Sequence, residues 1–142
     1  MTEINGYARP RVVVADEHEM ARIISRIVGL QFEVIKVVHD GQSAIDAVLN
    51  LQPDVLVMDV LLPLLDGIQV VRRLKALKTI SRVVMLTGLE NKEHMDAAMT
   101  AGASAFVFKT KMASDLLRAI GEVLAGRTFV STHKLGKPGD KS

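Results

Sequence analysis

The sequence predicts an α/β fold, a doubly wound sheet of five parallel strands flanked by five helices. Three observations lead there. Short β-branched apolar runs alternate five times with amphipathic segments of helical period. The connections are short and rich in Gly, Pro, Asp and Asn. One run, Val55-Leu56-Val57-Met58, is unbroken by any polar residue, as expected of a strand covered on both faces.

Residues 1–9 read as a flexible N-terminal arm, 10–126 as the folded domain and 127–142 as a C-terminal tail. The first strand is Arg11–Ala15, closing on the acidic pair Asp16-Glu17. Met20, Ile23, Ile24, Ile27 and Val28 then recur at three- and four-residue spacing, the inward stripe of a first helix that Gly29 can end. Phe32 to Val38 forms the second strand, broken by Asp40-Gly41. A helix from Gln42 to Leu51 buries Ala44, Ile45, Val48 and Leu49, and Pro53 limits it.

The unbroken run is the third strand. It delivers Asp59, and the chain turns at Pro63 and Asp66-Gly67. A helix over Ile68–Leu77 places Val70, Val71, Leu74 and Leu77 inward. Val83–Leu86 is a fourth strand finishing at Thr87-Gly88. Asn91 caps the next helix, with Met95, Ala98 and Met99 inward and a left-handed stop at Ala101-Gly102. Ala105–Phe108 is a short fifth strand ending on Lys109, and a last helix starting near Ser114 buries Leu116, Leu117, Ile120, Val123 and Leu124. Five such units are too few for an eight-fold barrel. The expected arrangement is flavodoxin-like, with strand order 2-1-3-4-5 and its switch point between strands 1 and 3.

Composition narrows the function. A chain of 142 residues suits one domain. A net charge of +2, with basic residues scattered along the chain, argues against direct nucleic-acid binding. The absence of cysteine excludes a disulfide framework, a thiolate metal site and a cysteine nucleophile. No signal-peptide core or membrane-length apolar run is present, so a cytoplasmic protein is expected.

The strand ends carry the chemistry. In open α/β sheets reactive groups sit beyond the carboxyl ends of the strands. Here those ends hold Asp16-Glu17, Asp59, Thr87 and Lys109, and the switch point brings three carboxylates together. Two such charges ~4 Å apart repel by roughly 4 kcal/mol at an effective dielectric of ~20. A divalent hard cation such as Mg²⁺ neutralises such a cluster, using carboxylates, waters and a phosphoryl group. Thr87 offers a hydroxyl and Lys109 an ammonium to phosphoryl oxygens. The chemistry these residues suit is phosphoryl transfer onto a carboxylate.

The combination Asp16-Glu17, Asp59, Pro63-x-x-Asp66-Gly67, Thr87-Gly88 and Gly102-Ala103-x-x-Phe106-x-x-Lys109 resembles the bacterial response-regulator receiver domain over about residues 10–126. The resemblance implies a phosphorylation-activated switch of a two-component system, catalysing only its own phosphorylation and dephosphorylation. Asp59 would be the phosphoacceptor, with a histidine kinase or phosphotransfer protein as donor. Glu17 and Asp59 would be direct Mg²⁺ ligands, Asp16 would act mainly through bound water, and Leu61 would offer its backbone carbonyl. Thr87 and Lys109 would bind the phosphoryl oxygens, and Phe106 would hold the aromatic switch position, where core packing is the competing role. Partners would be a downstream protein or a second copy, with no membrane.

Several positions depart from the family pattern. Thr110 follows Lys109 where many members carry proline, so a cis peptide there is costly. Lys109-Thr-Lys111 and Gly126–Ser131 are closer to the NarL/FixJ-type subfamily, whose members usually continue into a helix-turn-helix domain; the polar stretch from Lys134 to Ser142 is too short for one. Leu61 and Leu89, two past Asp59 and Thr87, are apolar where the family faces the attacking water, which implies a long-lived phosphoryl group. Asp16 is also a candidate N-cap of the first helix. The four histidines, His18, His39, His94 and His133, suit surface or capping roles. Competing readings are an aspartate-nucleophile phosphatase, which would need an acid where Leu61 stands, a flavin or nucleotide binder, which Asp16-Glu17-His18-Glu19 would repel, and a phosphorylation-independent interaction module.

Overall fold

The computed structural model describes residues 3–4, 7–88 and 91–132. Its main sheet contains β1 (Arg11–Ala15), β2 (Glu33–Val38), β3 (Val55–Asp59), β4 (Arg82–Thr87), β5 (Ala105–Phe108) and β6 (Phe129–Val130). The order is β2-β1-β3-β4-β5-β6, and every pairing is parallel. The helices are α1 (His18–Val28), α2 (Gly41–Leu51), α3 (Gly67–Ala76), α4 (Lys92–Ala101) and α5 (Met112–Leu124), the last entered through a 3₁₀ turn at Lys109–Lys111. The doubly wound five-stranded core and its order match the expectation.

Two elements lie outside it. Phe129–Val130 adds a sixth strand within the stretch read as a tail, pairing with Ala105 and Phe106. Glu3–Ile4 pairs antiparallel with Tyr7–Ala8, within the stretch read as an arm.

Side-chain alternation along the strands divides the core between two faces. Val13, Ala15, Leu56, Met58, Val83, Met85, Phe106 and Phe108 face α2, α3 and α4. Val12, Val14, Val55, Val57, Val84, Leu86, Ala105 and Val107 face α1 and α5. The β1, β3 and β5 interiors are almost wholly buried, and each buried aliphatic side chain contributes about 1.5–3 kcal/mol. Such two-sided burial requires apolar strands and leaves polar groups only at their ends.

Helix boundaries follow local chemistry. Asp40 caps α2 by accepting from Ser43 N–H at 2.7 Å. Asp66 caps α3 in a reciprocal box with Gln69. Asn91 accepts from Glu93 and His94 N–H, as expected for α4, and Gly102 ends that helix at φ +123°. Gly29 ends α1 as expected, in right-handed geometry at φ −63°, and the chain continues through another turn before β2. Ile23, Leu49 and Leu77, expected inward, are 49%, 44% and 52% exposed. The buried stripe of each helix is narrower than its apolar stripe.

Candidate functional site

β1 and β3 are hydrogen-bonded neighbours, with Ala15 opposite Met58, so Asp16, just past β1, and Asp59, the last residue of β3, stand side by side. Lys109 follows β5 and reaches across to both. Its Nζ lies 2.9 Å from Asp59 Oδ2 and 3.0 Å from Asp16 Oδ2. The Asp16 side chain is completely buried, and those of Asp59 and Lys109 are about one-sixth exposed. The other oxygens are held by main chain: Asp16 Oδ1 accepts from Glu17 N–H at 2.7 Å, and Asp59 Oδ1 from Leu61 N–H at 3.1 Å. Asp16 Oδ2 meets the ammonium as an ion pair.

The electrostatics follow from this crowding. Burial pushes the Asp16 carboxyl above its ordinary value; the Lys109 hydrogen bond opposes that shift and the neighbouring Asp59 charge reinforces it. Burial alone would lower Lys109, but hydrogen bonds and charge from Asp59 and Asp16 outweigh it and hold the ammonium above its ordinary value.

The site differs from the sequence reading in three ways. Asp16 is not the N-cap of α1: Glu17 takes that position and makes no side-chain cap bond, because Asp16 Oδ1 is turned back onto Glu17 N–H. Two carboxylates converge rather than three, since Glu17 is exposed at the helix start. Among the described residues no three His, Asp or Glu side chains are close enough to hold a metal ion; Lys109 supplies the neutralising charge. The Lys109–Thr110 peptide is trans, and the chain turns there in a 3₁₀ helix.

The remaining expected residues fall around this cluster. Thr87 ends β4, one residue past Leu86, the partner of Asp59, and is buried. Phe106 is fully buried, paired with Met85 and edge-on to Phe108 at 6.3 Å; its packing is that of a core residue. Leu61 is 59% exposed. Leu89 and His133 lie outside the described residues.

Sequence reasoning missed His39 as a neighbour of the site. Its Nδ1 lies 2.8 Å from the Asp16 carbonyl oxygen, and its ring stacks on His18 at 3.7 Å. No local pattern marks this pair, since the contact joins the ends of adjacent strands. The Asp66–Gln69 box that fixes the loop after Asp59 was signalled by its own spacing.

Among the described residues no helix is long and apolar enough to cross a membrane. Comparison with known proteins agrees with the geometry. The chain is 33% identical to the response regulator protein VraR of Staphylococcus epidermidis over 131 residues, covering 89% of this chain and 62% of that protein. It is 26% identical to the chemotaxis protein CheY of Halobacterium salinarum, covering 82% of this chain and 98% of that one. Its fold superimposes on a two-component response regulator of the LuxR family from Aurantimonas with a TM-score of 0.81 at 26% identity, covering 86% of this chain and 89% of that one. A family model described as the response regulator receiver domain matches residues 12–121, from the first buried strand into the last helix. The chain belongs to the response regulator receiver domain family.

Proposed function

We propose that this chain is a phosphorylation-activated signalling switch of a two-component system, with Asp59 as the phosphoacceptor and a histidine kinase or phosphotransfer protein as the donor. The observation that carries this reading is the placement of Asp59. It is a partly exposed carboxylate at the end of a central buried strand, with one oxygen on the Lys109 ammonium and the other on the Leu61 N–H.

In the transfer, an Asp59 carboxylate oxygen forms a bond to phosphorus as the phosphorus–nitrogen bond of a donor phosphohistidine breaks, and the freed imidazole nitrogen takes up a proton. Lys109, already shared between two carboxylates, would follow the added charge onto the phosphoryl oxygens. Thr87 would donate its hydroxyl to the same group. That movement at the end of β4 would be felt by β5, where Phe106 is the candidate switch aromatic, and would change association with a partner or a second copy.

Carboxylate and carbonyl oxygens are the donor types that Mg²⁺ takes. Asp16 and Asp59 set such hard carboxylate oxygens side by side at the carboxyl end of the sheet. Asp59 and the Leu61 carbonyl would hold the ion directly, with Glu17 once it turns inward from its exposed position, and Asp16 would act mainly through bound water. When bound, it supplies charge neutralisation on the transferring oxygens.

The test is intact-mass measurement after incubation with acetyl phosphate, with and without Mg²⁺, for wild type and Asp59→Asn. A metal-dependent phosphoryl adduct on wild type alone is expected. An adduct that survives Asp59→Asn overturns the assignment.

A further inference from the structure

The sheet edge opposite Asp59 carries a surface of different chemistry. Between Gly67 and Gly88 the chain has five basic residues, Arg72, Arg73, Lys75, Lys78 and Arg82, and no acidic one. The basic residues are therefore less scattered than a whole-chain reading suggests. Within this stretch the connection from α3 to β4 leaves Ile80 78% and Leu77 52% exposed. Leu49 of α2, 44% exposed, joins them in lining a cleft of about 290 Å³ that also includes Lys78. A second cleft of about 210 Å³ shares Ile80 with the first and is lined by Lys75 and Arg82. Among the described residues no acidic side chain lines either one. Asp54, whose carbonyl accepts from Arg82 N–H, places its carboxylate on Arg11 N–H, 2.8 Å away.

Single exposed aliphatic residues are ordinary. Three that line one cleft, with cations around it, have the anatomy of an interface with an apolar centre and a charged rim. The uniform sign of that rim selects the occupant. A second copy joined through the same patch would set cation against cation, which costs free energy. A flat bilayer offers no side chains to fill the two clefts. An amphipathic segment bearing apolar anchors and acidic flanks satisfies both the clefts and the rim.

We propose that this edge, formed by Leu49, Leu77 and Ile80 with Lys75, Lys78 and Arg82, docks an acidic amphipathic segment of a protein partner. Arg82 pairs with Val55 at the amino end of β3, whereas Asp59 closes its carboxyl end. The partner therefore stays bound without covering the Asp59 site.

The test is an amide correlation-spectrum titration of the full chain with a synthetic helical peptide carrying Leu at i, i+3, i+4 and i+7 and Glu elsewhere. A peptide with Lys for every Glu, and vesicles of phosphatidylglycerol in phosphatidylcholine, form the other arms. The Glu peptide should shift Leu49, Leu77, Lys78 and Ile80 with a Kd of about 1 mM or tighter. Ile80→Glu and the double variant Lys78→Glu/Arg82→Glu should each weaken binding about ten-fold or more. Leu30→Glu, at a residue 69% exposed in the turn between α1 and β2, should bind as wild type. Ile80→Ser supplies the reading should Ile80→Glu lose its dispersed spectrum. Equal binding of the Lys peptide, shifts centred elsewhere, or unchanged affinity in Ile80→Glu overturns the proposal. So does vesicle binding through this edge while the Glu peptide leaves the spectrum unchanged.

Discussion

Lys109→Met removes the charge that holds the two strand-end carboxylates together. In wild type the ammonium lies within 3.0 Å of both Asp16 and Asp59. Each contact is worth roughly 5 kcal/mol at an effective dielectric of about 20, and desolvation of the buried groups offsets much of that. Breaking a buried charge pair from one side costs about 3–5 kcal/mol. Because Asp59 and Lys109 retain some exposure, a loss near the lower end, about 3 kcal/mol at neutral pH, is expected. That corresponds to a fall of roughly 10 °C in Tm.

The loss should depend on pH in a definite sense. Asp16 is already raised above its ordinary value by burial and by the charge of Asp59. A carboxyl raised on folding supports stability below its unfolded pKa and weakens it as pH rises through the folded pKa. Without the Lys109 ammonium that opposes this shift, Asp16 takes up its proton at still higher pH. The gap between wild type and variant should therefore narrow as pH falls from neutral toward about 4. Urea unfolding followed by far-ultraviolet circular dichroism at several pH values measures it. Adding Asp16→Asn to Lys109→Met should recover most of the loss. A variant within about 0.5 kcal/mol of wild type at neutral pH, or a gap that widens on acidification, would refute the reasoning.

Gly41→Ala should destabilise by about 3 kcal/mol in thermal unfolding, because a Cβ there would stand 2.0 Å from the Leu65 carbonyl oxygen, where the loop after Asp59 crosses the start of α2. Asp40→Ala should cost about 1 kcal/mol through loss of the α2 cap. The Ser43 N–H holds the Asp40 carboxyl below its ordinary value, so its contribution is present above the unfolded pKa and lost as pH falls through the folded one; acid titration of wild type and variant should converge there. Leu61→Asn should shorten the lifetime of the phosphorylated chain several-fold by giving an attacking water a partner, as read from phosphate release; an unchanged or slower rate contradicts a role for this side chain.

What the sequence determined by itself was the set of patterns carried within single elements. Period-two and helical spacings, together with strong caps such as Asn91, are local, so the five strand–helix units and their order were legible, as was the delivery of Asp16, Asp59, Thr87 and Lys109 to strand ends. The tertiary structure decided what depends on neighbours distant in the chain. Phe129–Val130 is too short to announce a strand and forms one only because β5 presents a free edge, with Phe129 N–H on the Ser104 carbonyl and Ser131 N–H on that of Phe106. How far α1, α2 and α3 turn toward the sheet leaves Ile23, Leu49 and Leu77 in solvent. The same long-range placement sets Lys109 between Asp16 and Asp59 while Glu17, next to Asp16 in sequence, is exposed. A carboxylate's position along the chain names its strand end; only the packing of three strands decides which charges share one pocket.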